Sequence, residues 1–389
     1  MKGRKKILFL QEFSMERKGG GVAIIKRLMM AADSFNYEAK VAYDRTANKG
    51  LPAEMDGQAS FYTLPRNMRL GIGRLIATLT ILSLDFFSFV SLVRLIKRED
   101  PDVVHITAHG VCFPIMVKAA RFANKEIVVS VHDLWFFSVR GYISSRVAER
   151  LFRKSITAVN TLYVISPEMR DFLSEKYGKK NYQVVHDGIL TPPEINYPKP
   201  VINHISIFYV GLLHAMQLIT FNMLVEALGS ILSHSFTIGI CSGTEYMPDK
   251  IYNNITITNY GWVAEARVKE ISKDYSYGLL PLSFDPDDEL FYRTSLMTKI
   301  PFYTSVLLPI ICIGPASASA VRLVEEEEIG MVCDSGRYDD ILLMLKEIVQ
   351  LTPETYAHYR NNLKQSAATT FNLELITGRF YHNLFPAVQ

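Results

Sequence analysis

The chain has 389 residues, longer than one hydrophobic core commonly serves, so two domains are expected. Hydrophobic residues make up 49% and charged residues 21%, which excludes disorder as the main state and leaves enough apolar side chains for two cores. Lys and Arg number 42 against 39 Asp and Glu, and a net charge of +3 gives no basic field that would gather a nucleic acid.

The first predicted element is a strand over Ile7–Leu10, with Lys2, Arg4, Lys5 and Lys6 before it and Gln11 and Glu12 ending it. That apolar run is too short for a signal-peptide core, and a cytoplasmic location is expected. Gly19, Gly20 and Gly21 follow, then a helix over Val22–Ala32. Glycines let backbone N–H groups approach an anion, and a helix N-terminus favours negative charge. The spacing is not the GxGxxG of a dinucleotide fold, and the same residues suit a flexible strand-to-helix turn.

A strand over Ala39–Tyr43 precedes the segment Leu75–Val93, which is apolar or small except for Asp85 and is flanked by Arg66, Arg69, Arg74, Arg94, Lys97 and Arg98. Its length would just cross a bilayer, but Asp85 at its centre opposes that. Two readings remain: a buried helix of the first domain, or a helix that touches a membrane surface peripherally through residues 75–98.

Strands are then predicted at Val103–Ile106, Ile127–Val131, Leu162–Ile165 and Gln183–Val185, separated by helices over Pro114–Phe122, Ser145–Thr157 and Pro167–Tyr177. Parallel strands need crossover helices and are covered on both faces, so they read as unbroken apolar runs. His105 lies inside such a run and reads as a satisfied core histidine. His132 and Asp133 stand where Ile127–Val131 ends, either capping the next turn or reaching a sugar hydroxyl or phosphate.

Between Leu190 and His204 the pattern breaks at Pro192, Pro193, Pro198 and Pro200, the composition of a linker. A second alternating series begins at Ile205–Val210 and runs through Thr220–Ser233, Phe236–Cys241, Ile255–Thr258, Glu265–Asp274, Gly278–Pro281, Lys299–Ser305, Pro309–Ile313, Ala316–Glu326 and Asp339–Leu351. The expected class is therefore α/β, with two Rossmann-like doubly wound domains facing a cleft. The expected boundaries are 1–190, a linker at 191–204, and 205–371, with a C-terminal helix over 372–389 returning to the first domain.

In the second domain Arg293, Ser295, Thr298 and Lys299 lead into a short helix. Hydroxyls, a lysine and a helix start can hold a diphosphate without a metal, and equally can form an exposed cap with a solvated lysine. Asp285-Pro286-Asp287 has the form of a metal-binding Asp-x-Asp but suits a solvated acidic loop better. The cysteines, Cys112, Cys241, Cys312 and Cys333, lack metal-ligand spacing and are expected to be reduced and mostly buried.

In order along the chain, several short motifs resemble the group 1 glycosyltransferases, family 4, whose fold is GT-B. They are the Gly-rich loop, Pro101-Asp102-Val103-Val104-His105, Val131-His132-Asp133-Leu134-Trp135, Val164-Ile165-Ser166-Pro167, Val185-His186-Asp187-Gly188 and Phe208-Tyr209-Val210-Gly211. Ser295-Leu296-Met297-Thr298-Lys299, with Tyr303 and Pro309 after it, is similar to that family's Ser-x-Pro-Ser/Thr-Lys.

The resemblance implies transfer of a sugar from a nucleotide-sugar to a hydroxyl of a glycan or lipid-linked acceptor. Retention at the anomeric carbon, no cofactor and no metal are implied with it. His132 and Asp133 become the implied catalytic residues, and Gly20, Gly21, Gly211, Arg293, Ser295, Thr298 and Lys299 the implied donor site. The implied setting is surface polysaccharide or glycolipid assembly at the inner face of the cytoplasmic membrane.

Four positions depart from the family pattern. Leu212 follows Gly211 where an arginine is usual, Gln217 stands near a lysine position, Phe302 replaces a carboxylate, and Leu307 falls on an expected glycine. These departures keep two alternatives open, a non-catalytic GT-B protein that binds a partner transferase, glycan or membrane, and a sugar-nucleotide epimerase.

Overall fold

The computed structural model describes residues 4–12, 20–44, 59–62, 71–189, 203–248 and 250–385. Gly19, Arg66, Arg69 and all but the last two residues of the expected linker, 191–204, lie outside them. The chain divides into two compact units, one reaching to Asp187 and taking in the C-terminal segment from Glu374, the other running Gly188–Leu373.

Seven strands form the first sheet: β1 Lys5–Leu10, β2 Tyr37–Asp44, β3 Ala59–Tyr62, β4 Val103–Thr107, β5 Glu126–Val131, β6 Thr161–Val164 and β7 Asn181–Val184. Their order is β3-β2-β1-β4-β5-β6-β7, and every pair is parallel. The central strands are buried along their length, which is why β4 reads as Val-Val-His-Ile-Thr without alternation. The helix Leu373–His382 packs in this unit: the Tyr163 hydroxyl donates to Phe380 O at 2.8 Å, and the Tyr381 hydroxyl donates to Leu28 O at 2.6 Å.

The second sheet has six strands: β8 His204–Val210, β9 Ser235–Cys241, β10 Ile255–Asn259, β11 Tyr277–Pro281, β12 Ile310–Ile313 and β13 Gly330–Cys333. The order β10-β9-β8-β11-β12-β13 is again wholly parallel. In each unit the order reverses beside the first strand, between β1 and β4 and between β8 and β11. In such sheets ligands bind beyond the carboxyl ends of the strands at that reversal.

One expectation is corrected. Leu75–Val93 is not a single helix: one helix covers Gly71–Ile81, a second covers Phe86–Glu99, and their axes differ by 56°. Asp85 is the cause. Its buried carboxylate accepts from the Ser88 amide at 3.1 Å and the Thr80 hydroxyl at 3.0 Å, so it caps a new helix instead of continuing the old one. Among the described residues no single helix is long and apolar enough to cross a membrane.

Candidate functional site

In the first unit the helix Gly20–Ala31 is the next described element after β1, and Gly21 lies against His132 at the end of β5. A Cβ on Gly21 would stand 2.8 Å from His132 Nδ1, closer than a side chain tolerates, so glycine is what lets the imidazole sit on the first helical turn. His132 Nε2 is buried with no hydrogen-bond partner among the described residues. Burial, and then the neighbouring His109 ring, lowers its pKa to about 4, so the ring is neutral near neutral pH. A neutral imidazole with an unsatisfied nitrogen can donate to or accept from a ligand, and a buried polar atom without a partner is costly unless a ligand or water meets it. Asp133 follows it, half-buried. The short helix Trp135–Ser138 has Leu134 at its N-cap, with no side-chain cap bond.

The loop after β4 frames this end of the sheet. Glu12 accepts from the Cys112 amide at 2.9 Å, and the Trp135 indole donates to Gly110 O at 2.6 Å. Gly110 has φ +65° and lies against the Glu12 carboxylate, a conformation and closeness that suit only glycine. His105 is the satisfied core histidine its setting implied: Nε2 lies 2.7 Å from Ser130 Oγ and burial holds its pKa at about 3. Glu12 and Gly110 were not legible as site residues, since their role depends on a contact across a hundred positions.

In the second unit Gly211 ends β8 with φ +94°, and the Lys299 side chain runs past it. A Cβ there would stand 3.4 Å from Lys299 Cε, and the ammonium lies 4.8 Å from the Tyr209 ring centroid. Lys299 keeps some surface, yet burial is deep enough to lower its pKa to about 8. Among the described residues no carboxylate pairs with it. Its charge in turn lowers the pKa of His214, after burial of that ring, and His214 caps the helix Ala215–Gly229. A desolvated, uncompensated ammonium beside a helix start favours an anion strongly.

Tyr303 holds Lys299 in place. Its hydroxyl donates to Leu279 O at 2.8 Å and Phe208 O at 3.2 Å, and its ring fills the space left by Gly278, anchoring the helix Lys299–Ser305 to β8 and β11. Ser295 is buried, with its amide donating to Phe291 O at 2.9 Å, whereas Thr298 is exposed and makes no cap bond. Arg293 is half-buried at the end of Glu289–Thr294, and its carbonyl accepts from Ser319 Oγ at 2.6 Å. The structure thus brings Gly211 to Lys299. Arg293, Ser295 and Thr298 share the connecting segment with Lys299.

The four departures from the family pattern have structural explanations of differing kind. Gln217 is buried and accepts from the Tyr209 hydroxyl at 3.0 Å and the His214 amide at 3.3 Å, completing the cap of its helix. Leu212 is half exposed and packs beside Gly243. Phe302 packs against the core with its ring 6.2 Å from that of Phe208. Leu307 takes φ +53°, the left-handed conformation that glycine serves without strain, while its side chain is buried. In Asp285-Pro286-Asp287, the Asp285 carboxylate accepts from the Asp287 amide at 2.9 Å in a tight turn.

Residues 18–191 match Glycosyltransferase Family 4. Over that segment, just under half of its length, the chain is similar to this family, and its two-unit α/β fold is that of GT-B proteins. Solved structures share its fold over nearly the whole length. A glycosyltransferase from Rickettsia africae has TM-score 0.67 at 12% identity, with 99% of each chain covered. The Anabaena protein HepE, solved in complex with UDP, has TM-score 0.63 at 13% identity, covering 97% of this chain and 99% of its own. The lipopolysaccharide outer core galactosyltransferase WaaB, in its apo form, has TM-score 0.64 at 16% identity, covering 97% and 98%. A comparison with curated proteins returned no match. At these identities the structural likeness speaks to the fold, and the site must be read from this chain's own residues.

Proposed function

We propose that the protein is a retaining, metal-independent transferase that moves a sugar from a nucleoside-diphosphate sugar to a hydroxyl of a glycan or lipid-linked acceptor. The observation that carries the reading is Lys299, an ammonium without a carboxylate partner among the described residues, held against Gly211 and Tyr209 where β8 ends. A departing diphosphate is the charge such a group stabilises, and binding it restores the proton that burial disfavours. HepE, which has the same fold, was solved with UDP, which supports a nucleotide donor. Gly21 and His132 are assigned to the transferring sugar: a neutral imidazole on a helix start can hydrogen-bond a hydroxyl without competing for the diphosphate. Asp133 is assigned a supporting contact in the first unit, and Ser295, Thr298 and Arg293 supporting contacts in the second. With Lys299 supplying a cationic contact, the donor's negative charge is met without a divalent ion in the proposed mechanism.

The setting proposed is assembly of a surface polysaccharide or glycolipid at the cytoplasmic face of a membrane; WaaB, of like fold, is named for a lipopolysaccharide core. Turnover of UDP- and GDP-sugars with an acceptor panel, in chelator, followed by NMR of the product linkage, tests the reading. Product with the donor's anomeric configuration supports it. Turnover that requires a divalent ion, inverted product, or conversion of the donor without acceptor refutes it.

A further inference from the structure

We infer that the elbow between the helices Gly71–Ile81 and Phe86–Glu99 is a wedge that inserts into the surface of an anionic lipid bilayer. Single exposed apolar residues need no explanation, but here they are gathered. Leu84, Phe86 and Phe87 at the elbow are 65%, 69% and 77% exposed, and Phe122 on the neighbouring helix Phe113–Phe122 is 64% exposed. The rings of Phe86 and Phe87 lie 6.2 Å apart and those of Phe89 and Phe122 5.4 Å apart, with Phe86 and Phe89 on adjacent turns of one helix face.

The elbow is built rather than frayed. Asp85 caps the second helix from a buried position, Ser83 takes φ +57° to make the bend, and the Lys118 ammonium donates to Ser83 O at 2.9 Å. Phe86 and Phe87 therefore project from a braced turn.

Charge says what covers them. The Lys97 ammonium lies 5.8 Å from the Phe122 ring centroid and that of Lys118 5.2 Å from the Phe89 ring centroid, Arg94 and Arg121 are exposed on the same two helices, and every exposed side chain on Phe86–Glu99 and Phe113–Phe122 is aromatic or cationic. The one carboxylate of those helices, Glu99, is engaged by Lys40 and Arg98. A second copy of this face would set cation against cation, which opposes self-association. Lipid phosphates suit the cations, and the acyl boundary suits the rings. The bend of 56° at the elbow makes this an insertion of its tip, not a crossing.

This surface deepens the proposed function by placing the protein where a lipid-linked acceptor would be met, and it rests on that reading only for the acceptor. The test is flotation of the whole protein with vesicles of phosphatidylglycerol mixed with phosphatidylcholine, against phosphatidylcholine alone, in low and high salt. Native protein is expected on the anionic vesicles, with binding weakened by salt and lowered about fivefold by Lys97→Gln. Phe86→Ser with Phe87→Ser should lower partitioning at least about tenfold while leaving the melting temperature in place, since both rings are exposed in the free protein. The indole introduced by Phe87→Trp should be quenched by brominated acyl chains. No binding to anionic vesicles, native-like partitioning of the double variant, an unquenched indole, or a vesicle-free dimer that the double variant abolishes each overturns the inference. A nucleotide-induced melting shift on the same preparation separates the two proposals. Its presence without vesicle binding refutes the surface alone, and its absence with vesicle binding refutes the donor reading alone.

Discussion

Raising the pH should release a donor nucleotide from this protein through Lys299. In the free protein burial lowers that lysine's pKa to about 8 from the ordinary 10.5. A bound diphosphate supplies the missing counter-charge and lifts the pKa back toward or beyond the ordinary value, so the complex holds a proton that the free protein loses above about pH 8. Affinity is then flat below that pH and falls up to tenfold per unit above it. Between about pH 7 and about pH 9.5 the loss is about 30-fold, with the upper limit set by the bound-state pKa. The sign for stability is opposite: because the folded-state pKa is lowered, folding is disfavoured while the lysine is charged, and stability rises as pH climbs from about 8 toward 10.5. Isothermal titration of the nucleotide across that range measures the affinity. Lys299→Ala should bind about 10- to 100-fold more weakly at neutral pH, the worth of a charge-assisted bond, and should lose the pH dependence. An affinity that does not change up to about pH 9.5, or one whose slope survives in Lys299→Ala, refutes the assignment of the anion to this ammonium.

Acid should unfold the protein partly through two histidines. The folded-state pKa values of His132 and His105 are lowered to about 4 and about 3 from 6.5, so the stability they contribute is complete above pH 6.5 and is lost as pH falls through that value toward 4. Urea midpoints of the native protein and of His132→Asn, compared at neutral pH and near pH 4.5, should show a smaller acid penalty in the variant; an equal penalty counts against the buried neutral ring. Gly21→Ala drives a methyl against His132 Nδ1 and should cut turnover about tenfold or more at a stability cost of about 1–3 kcal/mol, read by steady-state kinetics and thermal melting. Tyr303→Phe removes the donor to Leu279 O and Phe208 O and should cost about 1–3 kcal/mol, with weaker nucleotide binding because the helix carrying Lys299 loses its anchor; unchanged binding with lost stability would leave Tyr303 a purely structural residue.

The alternation of elements was legible because parallel strands covered on both faces leave unbroken apolar runs such as Val103–Thr107 and Ile310–Ile313. Other elements were not. The strand Ala59–Tyr62 lies at the sheet edge and is four residues long, Gly330–Cys333 is as short, and the helix Pro353–Ala368 carries too few apolar residues to show a face. The elbow was missed because Leu75–Val93 is apolar on both sides of Asp85, and a carboxylate that caps a helix cannot be told by composition from one inside it.

Of the candidate site, Gly21 and His132 were singled out as residues beyond strand ends, Lys299 as a lysine at a helix start, and Gly211 only through the family resemblance. What was not legible is how they are held. Tyr303 and Trp135 look in sequence like core aromatics, and their hydroxyl and indole bonds join strands and loops far apart in the chain. Gln217 reads as a lost cation until its amide is seen closing a helix cap.

The proposed donor site is most directly tested by the melting temperature of the purified protein with UDP, GDP and their sugars, with and without chelator, beside Lys299→Ala. A ligand that binds only the folded state raises that temperature. A shift from one nucleotide series that chelator leaves in place and Lys299→Ala abolishes is the expected result, and no shift from any nucleotide, or an equal shift in Lys299→Ala, contradicts it.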